Sequence, residues 1–200
     1  MQEVPDSIVN AVVNLQRIFS IVLALSIAES FKQFIADRSS DDKKEPIHWD
    51  RLVALFAFLV LVIPFFHGMG GYFFNTYQVF PVPENYSIHL MIDTVAFTIE
   101  GALFFYMCRS LQLTSWRRFN CAALCILFVD IVWGVIGWQW HAPDILPWLV
   151  VNTIAFPVLG FFIFWYWKTE WWGALACAFV LFLRTFFDYM ATWNFYFPPG

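Results

Sequence analysis

Six apolar runs, each close to the length of a lipid bilayer, constrain this chain more than any other feature. A spanning helix needs about 20 mainly apolar residues. Runs of that length fall at 8–34, 52–74, 87–108, 119–139, 146–167 and 172–195. Apolar residues come in long blocks rather than in alternation, which argues against transmembrane strands. The expected fold class is an all-α integral membrane protein with six transmembrane helices and short loops, in one domain over 1–200. The first run is interrupted by Arg17 and Glu29. It lacks a basic start and a small-residue cleavage site, so a signal peptide is not expected.

Composition agrees. Charged residues make up 13% and aromatic residues 22%, against about 25% charged in an ordinary soluble domain. The net charge of −4 is spread over short connections, which leaves nucleic-acid binding without support. The chain has no glycine-rich phosphate loop, no zinc-spaced Cys/His set and no nucleophile elbow.

Orientation follows from the basic residues. Nine of the eleven lie at or near three connections: Lys32, Arg38, Lys43, Lys44 and Arg51; Arg109, Arg117 and Arg118; and Lys168. The alternate connections hold none. The positive-inside rule then places the basic connections in the cytoplasm and both termini on the outer side. A prokaryotic inner membrane is the expected location. Tyr72, Tyr77, Tyr86, Trp138, Trp140, Trp148, Trp193 and Tyr196 read as the outer aromatic belt. The four cysteines, Cys108, Cys121, Cys125 and Cys177, fall near the cytoplasmic ends, where a disulfide is not expected.

Against this background the ionisable residues inside the runs stand out. Arg184 and Asp188 are four residues apart in the last run, a spacing that puts them on one helical face. His89, Asp93, Ala96 and Glu100 form one stripe on the third run. Asp130 sits midway along the fourth, and Asn152 lies in the fifth. The second run ends in IPFFHGMGGY, with Pro64 a bend signal and His67 beside three glycines that suggest irregular backbone. Arg17 lies in the first. Counted from the outer ends, Arg17, His67, Asp93, Asp130, Asn152, Arg184 and Asp188 share a depth. One buried cluster fed by all six helices is the expectation, because lipid would leave these groups without partners.

Intramembrane ionisable residues mark ion paths, proton relays and ligand sites. The first reading is a small channel or transporter for protons, ions or a small solute. Its route would run from the cluster past Glu100 to the cytoplasm. The second is a membrane-embedded ligand-binding or accessory subunit of a larger complex. The third is an enzyme handling haem or lipid, with His67 and His89 as the minimal haem pair. Neither a cofactor nor a metal is demanded by the sequence. The expected partners are the lipid bilayer and either further copies of the chain or a larger membrane complex. Ala174 and Ala178 offer a small-residue packing face for a homo-oligomer.

Overall fold

The computed structural model describes residues 4–36, 49–79, 82–111, 116–139, 145–166 and 170–197. Arg38, Lys43, Lys44, His48, Trp140, His141 and Lys168 lie outside the described residues. Six long helices form: α1 (Asp6–Ala36), α2 (Trp49–Tyr77), α3 (Tyr86–Ser110), α4 (Trp116–Gln139), α5 (Ile145–Trp165) and α6 (Glu170–Ala191). All six are long and apolar enough to cross a membrane. No strand occurs among the described residues. The last run is not one helix over 172–195. It stops at Ala191, and after Thr192 a single turn, α7 (Trp193–Tyr196), continues separately.

The helices close into a ring. α1 packs on α2 and α3, α2 on α6, α6 on α5, α5 on α4, and α4 on α3. Successive helices run antiparallel. Phe128 meets Phe156 across α4 and α5, and Gln16 of α1 donates to the Gly70 carbonyl of α2 at 3.3 Å. The α2–α6 pair is parallel, as the contacts Phe56–Phe182 and His67–Tyr189 show. Lys32, Arg51, Arg109, Arg117 and Arg118 therefore gather at one end, called here the basic end, and α7 lies at the other.

The outer wall is what lipid requires. Ile154, Phe164 and Trp165 are 61%, 81% and 68% exposed, one continuous apolar coat that water would not tolerate. Hydroxyls within the helices bond back to their own backbone: Ser20 to Gln16, Ser26 to Val22, Thr94 to Leu90. The sequence-derived aromatic belt is only partly real. Trp138 and Trp193 are exposed, but Tyr72, Tyr77 and Tyr196 are buried, at 6%, 0% and 5% exposure. Each of these three tyrosines donates a hydrogen bond inward.

Two local features set the register of α2 against its neighbours. Pro64 has no N–H, so the Val60 carbonyl one turn earlier loses its helical donor. The Thr185 hydroxyl of α6 donates to that carbonyl at 2.9 Å. This bond fixes α6 where Arg184 faces the interior. The glycine stretch is regular helix, contrary to the irregular backbone expected from sequence. Gly68 and Gly71 serve close approach instead. A Cβ on Gly68 would stand 3.1 Å from the Tyr196 hydroxyl, and one on Gly71 would stand 3.1 Å from the Phe195 ring.

Ala174 and Ala178 are buried inside the ring. Gly173 beside them lets α6 close on Trp116, whose indole carbons would lie 2.5 Å from a Cβ there. The small-residue face is thus used within the chain and is not free to join copies. The four cysteines are free thiols.

Thr185→Val should destabilise the protein by about 0.5–1.5 kcal/mol, the range of interhelical hydrogen bonds in membranes. Thr185→Ser should keep wild-type stability. Reversible unfolding in mixed micelles measures both, and a Thr185→Val variant as stable as wild type would remove the bond from the account.

Candidate functional site

The polar interior divides into two adjoining groups. The first centres on Asp93 of α3, which is 0% exposed. The Tyr77 hydroxyl donates to its Oδ2 at 2.5 Å. Trp133 Nε1 donates to Oδ1 at 2.7 Å, and the Tyr72 hydroxyl reaches the same oxygen at 3.4 Å. Three neutral donors from α2 and α4 thus surround one carboxyl. Burial without such donors costs several kcal/mol, on the order of 2–7.

The second group lies toward the middle of the ring. Arg184 of α6 donates from Nε to Asn152 Oδ1 of α5 at 2.7 Å. Its NH1 stands 3.2 Å from Asp188 Oδ2, the pairing that the four-residue spacing predicts. Tyr196 of α7 donates to the same Oδ2 at 3.0 Å, and the Thr192 hydroxyl lies 3.3 Å from Oδ1. Burial, together with the neighbouring Asp188 charge, pushes the Tyr196 hydroxyl up, so it remains a donor. Asn152 extends its amide toward Asp130 Oδ2 at 3.5 Å, a weak contact.

Beyond this point donors run out. Asp130 Oδ1 and both oxygens of Glu100 accept no hydrogen bond from the described residues, although the two side chains are buried at 2% and 0% exposure. Glu100 and Asp130 are immediate neighbours and both feel the Arg184 charge. Three carboxyls, Glu100, Asp130 and Asp188, therefore surround a single guanidinium.

A cavity of about 50 Å³ opens beside this group. Its wall is aromatic, with Tyr72, Trp133 and Trp148 among the lining residues, and Asp130, Arg184, Thr192 and Tyr196 add polar atoms. Toward the α7 end lies an open vestibule of about 740 Å³, lined by His67, Asn75 and the α7 turn. Thr192, Phe195 and Tyr196 border both spaces and form the partition between them. Toward the basic end the interior is sealed. Met107, Ala123, Leu127, Cys177 and Leu181 are all 0% exposed. On α4 the next buried polar side chain is Asn120, ten residues before Asp130 or about 15 Å along the axis. Its Nδ2 donates to the Trp116 carbonyl, one turn back on its own helix.

Six residues named from sequence meet inside the ring: Asp93, Glu100, Asp130, Asn152, Arg184 and Asp188. Three do not. Arg17 is exposed on the outer face of α1, which contributes no side chain to either group. A common depth says nothing about which face a residue occupies. His67 is half-buried at the vestibule, with its ring against Tyr196 at 4.9 Å and Phe197 at 5.5 Å. Its described ring contacts belong to α6 and to the chain just after it. His89 is half-buried one turn before Asp93. Tyr72, Tyr77, Trp133, Thr192 and Tyr196 complete the site and were not singled out for it from sequence. Asp93 itself was the available signal, because a buried carboxyl far from a cation needs donors. Among the described residues, no group of three or more His, Cys, Asp or Glu is placed to hold a metal ion.

Fold and site together define a class: a ring of six helices, each long and apolar enough to cross a membrane, around a polar interior. No protein-family model, curated protein or solved structure matches the chain.

Arg184→Met should destabilise the protein by about 3–5 kcal/mol, because it strands buried carboxyls. Adding Asp188→Asn should recover part of that loss. Unfolding free energies of the two single variants and the double variant measure the coupling. Strictly additive losses would show that the pair does not act as a unit.

Proposed function

We propose that the ring is a membrane-embedded binding protein with a one-ended pocket, loaded from the α7 end. The observation that carries this reading is the abrupt end of the polar column. Donors and acceptors continue from the Thr192, Phe195 and Tyr196 partition to Asp130, which lines the cavity, and to Glu100 beside it. The interior toward the basic end is then mainly packed apolar side chains, and the buried hydroxyls there, Ser26, Ser30 and Ser110, bond back to their own helices. A route past Glu100 to the cytoplasm, expected from sequence, finds no buried charged, amide or hydroxyl side chain on α3 until Ser110. Small-molecule sites have this character: apolar walls and a few convergent polar groups. By the distribution of basic residues, the α7 end faces the outer side and the pocket draws from there.

A transporter remains the second reading, for one specific reason. Glu100 has two acceptor oxygens without a donor at the deepest point of the column, where a coupled proton would bind. A carrier caught open to one side would also have a one-ended site. Assembly with further copies or with a larger complex belongs to either reading.

Flux through liposomes of the purified chain separates the two. With the pocket reading, proton, potassium, sodium and chloride gradients should decay no faster than in empty vesicles. Sustained flux that falls in folded Asp93→Asn or Glu100→Gln variants would displace the pocket in favour of transport.

A further inference from the structure

The ligand's chemistry can be read from what the pocket lacks. Arg184 commits two of its five N–H donors, Nε to Asn152 and one on NH1 to Asp188. Three carboxyls offer more acceptor capacity than one guanidinium can fill, and Asp130 Oδ1 and both Glu100 oxygens have no donor. The formal charge of three carboxyls against one guanidinium is negative. Even one proton shared between Glu100 and Asp130 leaves an excess of one negative charge. A metal ion would want several oxygen ligands converging, which the described residues do not supply.

The wall suits a different cation. Tyr72 and Trp133 stand 4.8 Å apart, centroid to centroid, at 79°. Trp133 and Trp148 stand 5.5 Å apart at 86°. These are edge-to-face contacts, so the three rings brace one another as a single aromatic wall, which attracts positive charge wherever it presents a π face to the cavity. Asp130 lines the same cavity as these rings. The volume of about 50 Å³ sets the size. One water needs roughly 10–15 Å³ on this measure, so the cavity admits about three or four heavy atoms.

We infer that this cavity takes the alkylammonium or guanidinium end of a small organic cation, with Asp130 as its counter-charge and the Tyr72, Trp133 and Trp148 rings as its wall. This rests on the one-ended pocket proposed above. The cation supplies the N–H donors that Asp130 lacks. Any apolar remainder of the molecule extends past Thr192, Phe195 and Tyr196 into the vestibule, whose His67, Phe195 and Tyr196 rings continue the aromatic lining.

The test uses the full chain in nanodiscs, with calorimetry and indole fluorescence as readouts. The probes are ethylammonium chloride, guanidinium chloride, ethanol, sodium acetate and sodium chloride. Saturable binding is expected for the two organic cations and for none of the other three. Asp130→Asn should weaken it at least about tenfold, the loss of one charged hydrogen bond. The lipid-facing variant Phe164→Leu should leave it unchanged. If Asp130→Asn does not fold, Trp148→Leu takes its place, because removing one wall should weaken the cations while Asp130 stays. Absence of saturable binding by both cations overturns the inference, as does equal binding by sodium. Saturable acetate or ethanol binding would then leave the one-ended pocket standing. Sustained ion flux through vesicles would remove the pocket reading itself.

Discussion

Arg184 is the side chain on which the interior depends. A guanidinium near the middle of a spanning helix costs about 2.5–3.5 kcal/mol on insertion scales. It persists because α5 gives it the Asn152 carbonyl and α6 gives it Asp188. Asp188 in turn holds Tyr196, which ties the α7 turn into the mouth of the ring. One buried charge thus organises two helices and the partition that separates cavity from vestibule. Breaking it would leave carboxyls with no route to water.

The backbone shows the same logic of internal satisfaction. Lipid supplies no hydrogen bonds, so every gap in a helix must be closed from within. Pro64 opens one gap at the Val60 carbonyl, and Thr185 closes it from the residue next to Arg184. Gly68 and Gly71 leave room for Tyr196 and Phe195 to settle on α2. A proline, a threonine and two glycines therefore set the placement of the arginine and of the α7 turn. Against that economy, Asp130 Oδ1 and both Glu100 oxygens lack a donor, and Asp130 lines the cavity. Unsatisfied groups beside a cavity are where a ligand contributes most.

Much of this was legible in the sequence, and the reasons differ by residue. Helix count follows from apolar run length, which lipid thickness dictates. The Arg184–Asp188 pair and the Asp93–Glu100 stripe follow from helical spacing, which is local. Arg17 was misplaced because its run is apolar on more than one face, so position along the helix could not reveal its direction. Tyr72, Tyr77 and Tyr196 were read as an interfacial belt because an amphipathic ring suits both an interface and a buried acid. Only the packing of α2 and α7 against α3 and α6 decides between them. The split of one expected cluster into two also depends on packing, since Trp133 and Tyr72 stand between Asp93 and the cavity. The seal toward the basic end is made mainly of ordinary apolar residues, which carry no pattern distinguishing them from lipid-facing ones.

The central claim is that the interior opens at one end only. Accessibility of thiols tests it most directly, because Cys177 already sits in the seal and is 0% exposed. Thr192→Cys would place a second thiol in the partition bordering cavity and vestibule. Sealed vesicles, treated with a membrane-impermeant thiol reagent from either side, give the two rates by mass spectrometry. The account predicts that Thr192→Cys reacts from the α7 side alone and that Cys177 stays unmodified from both. Modification of Cys177 in the folded protein, or of Thr192→Cys from the basic side, would contradict it.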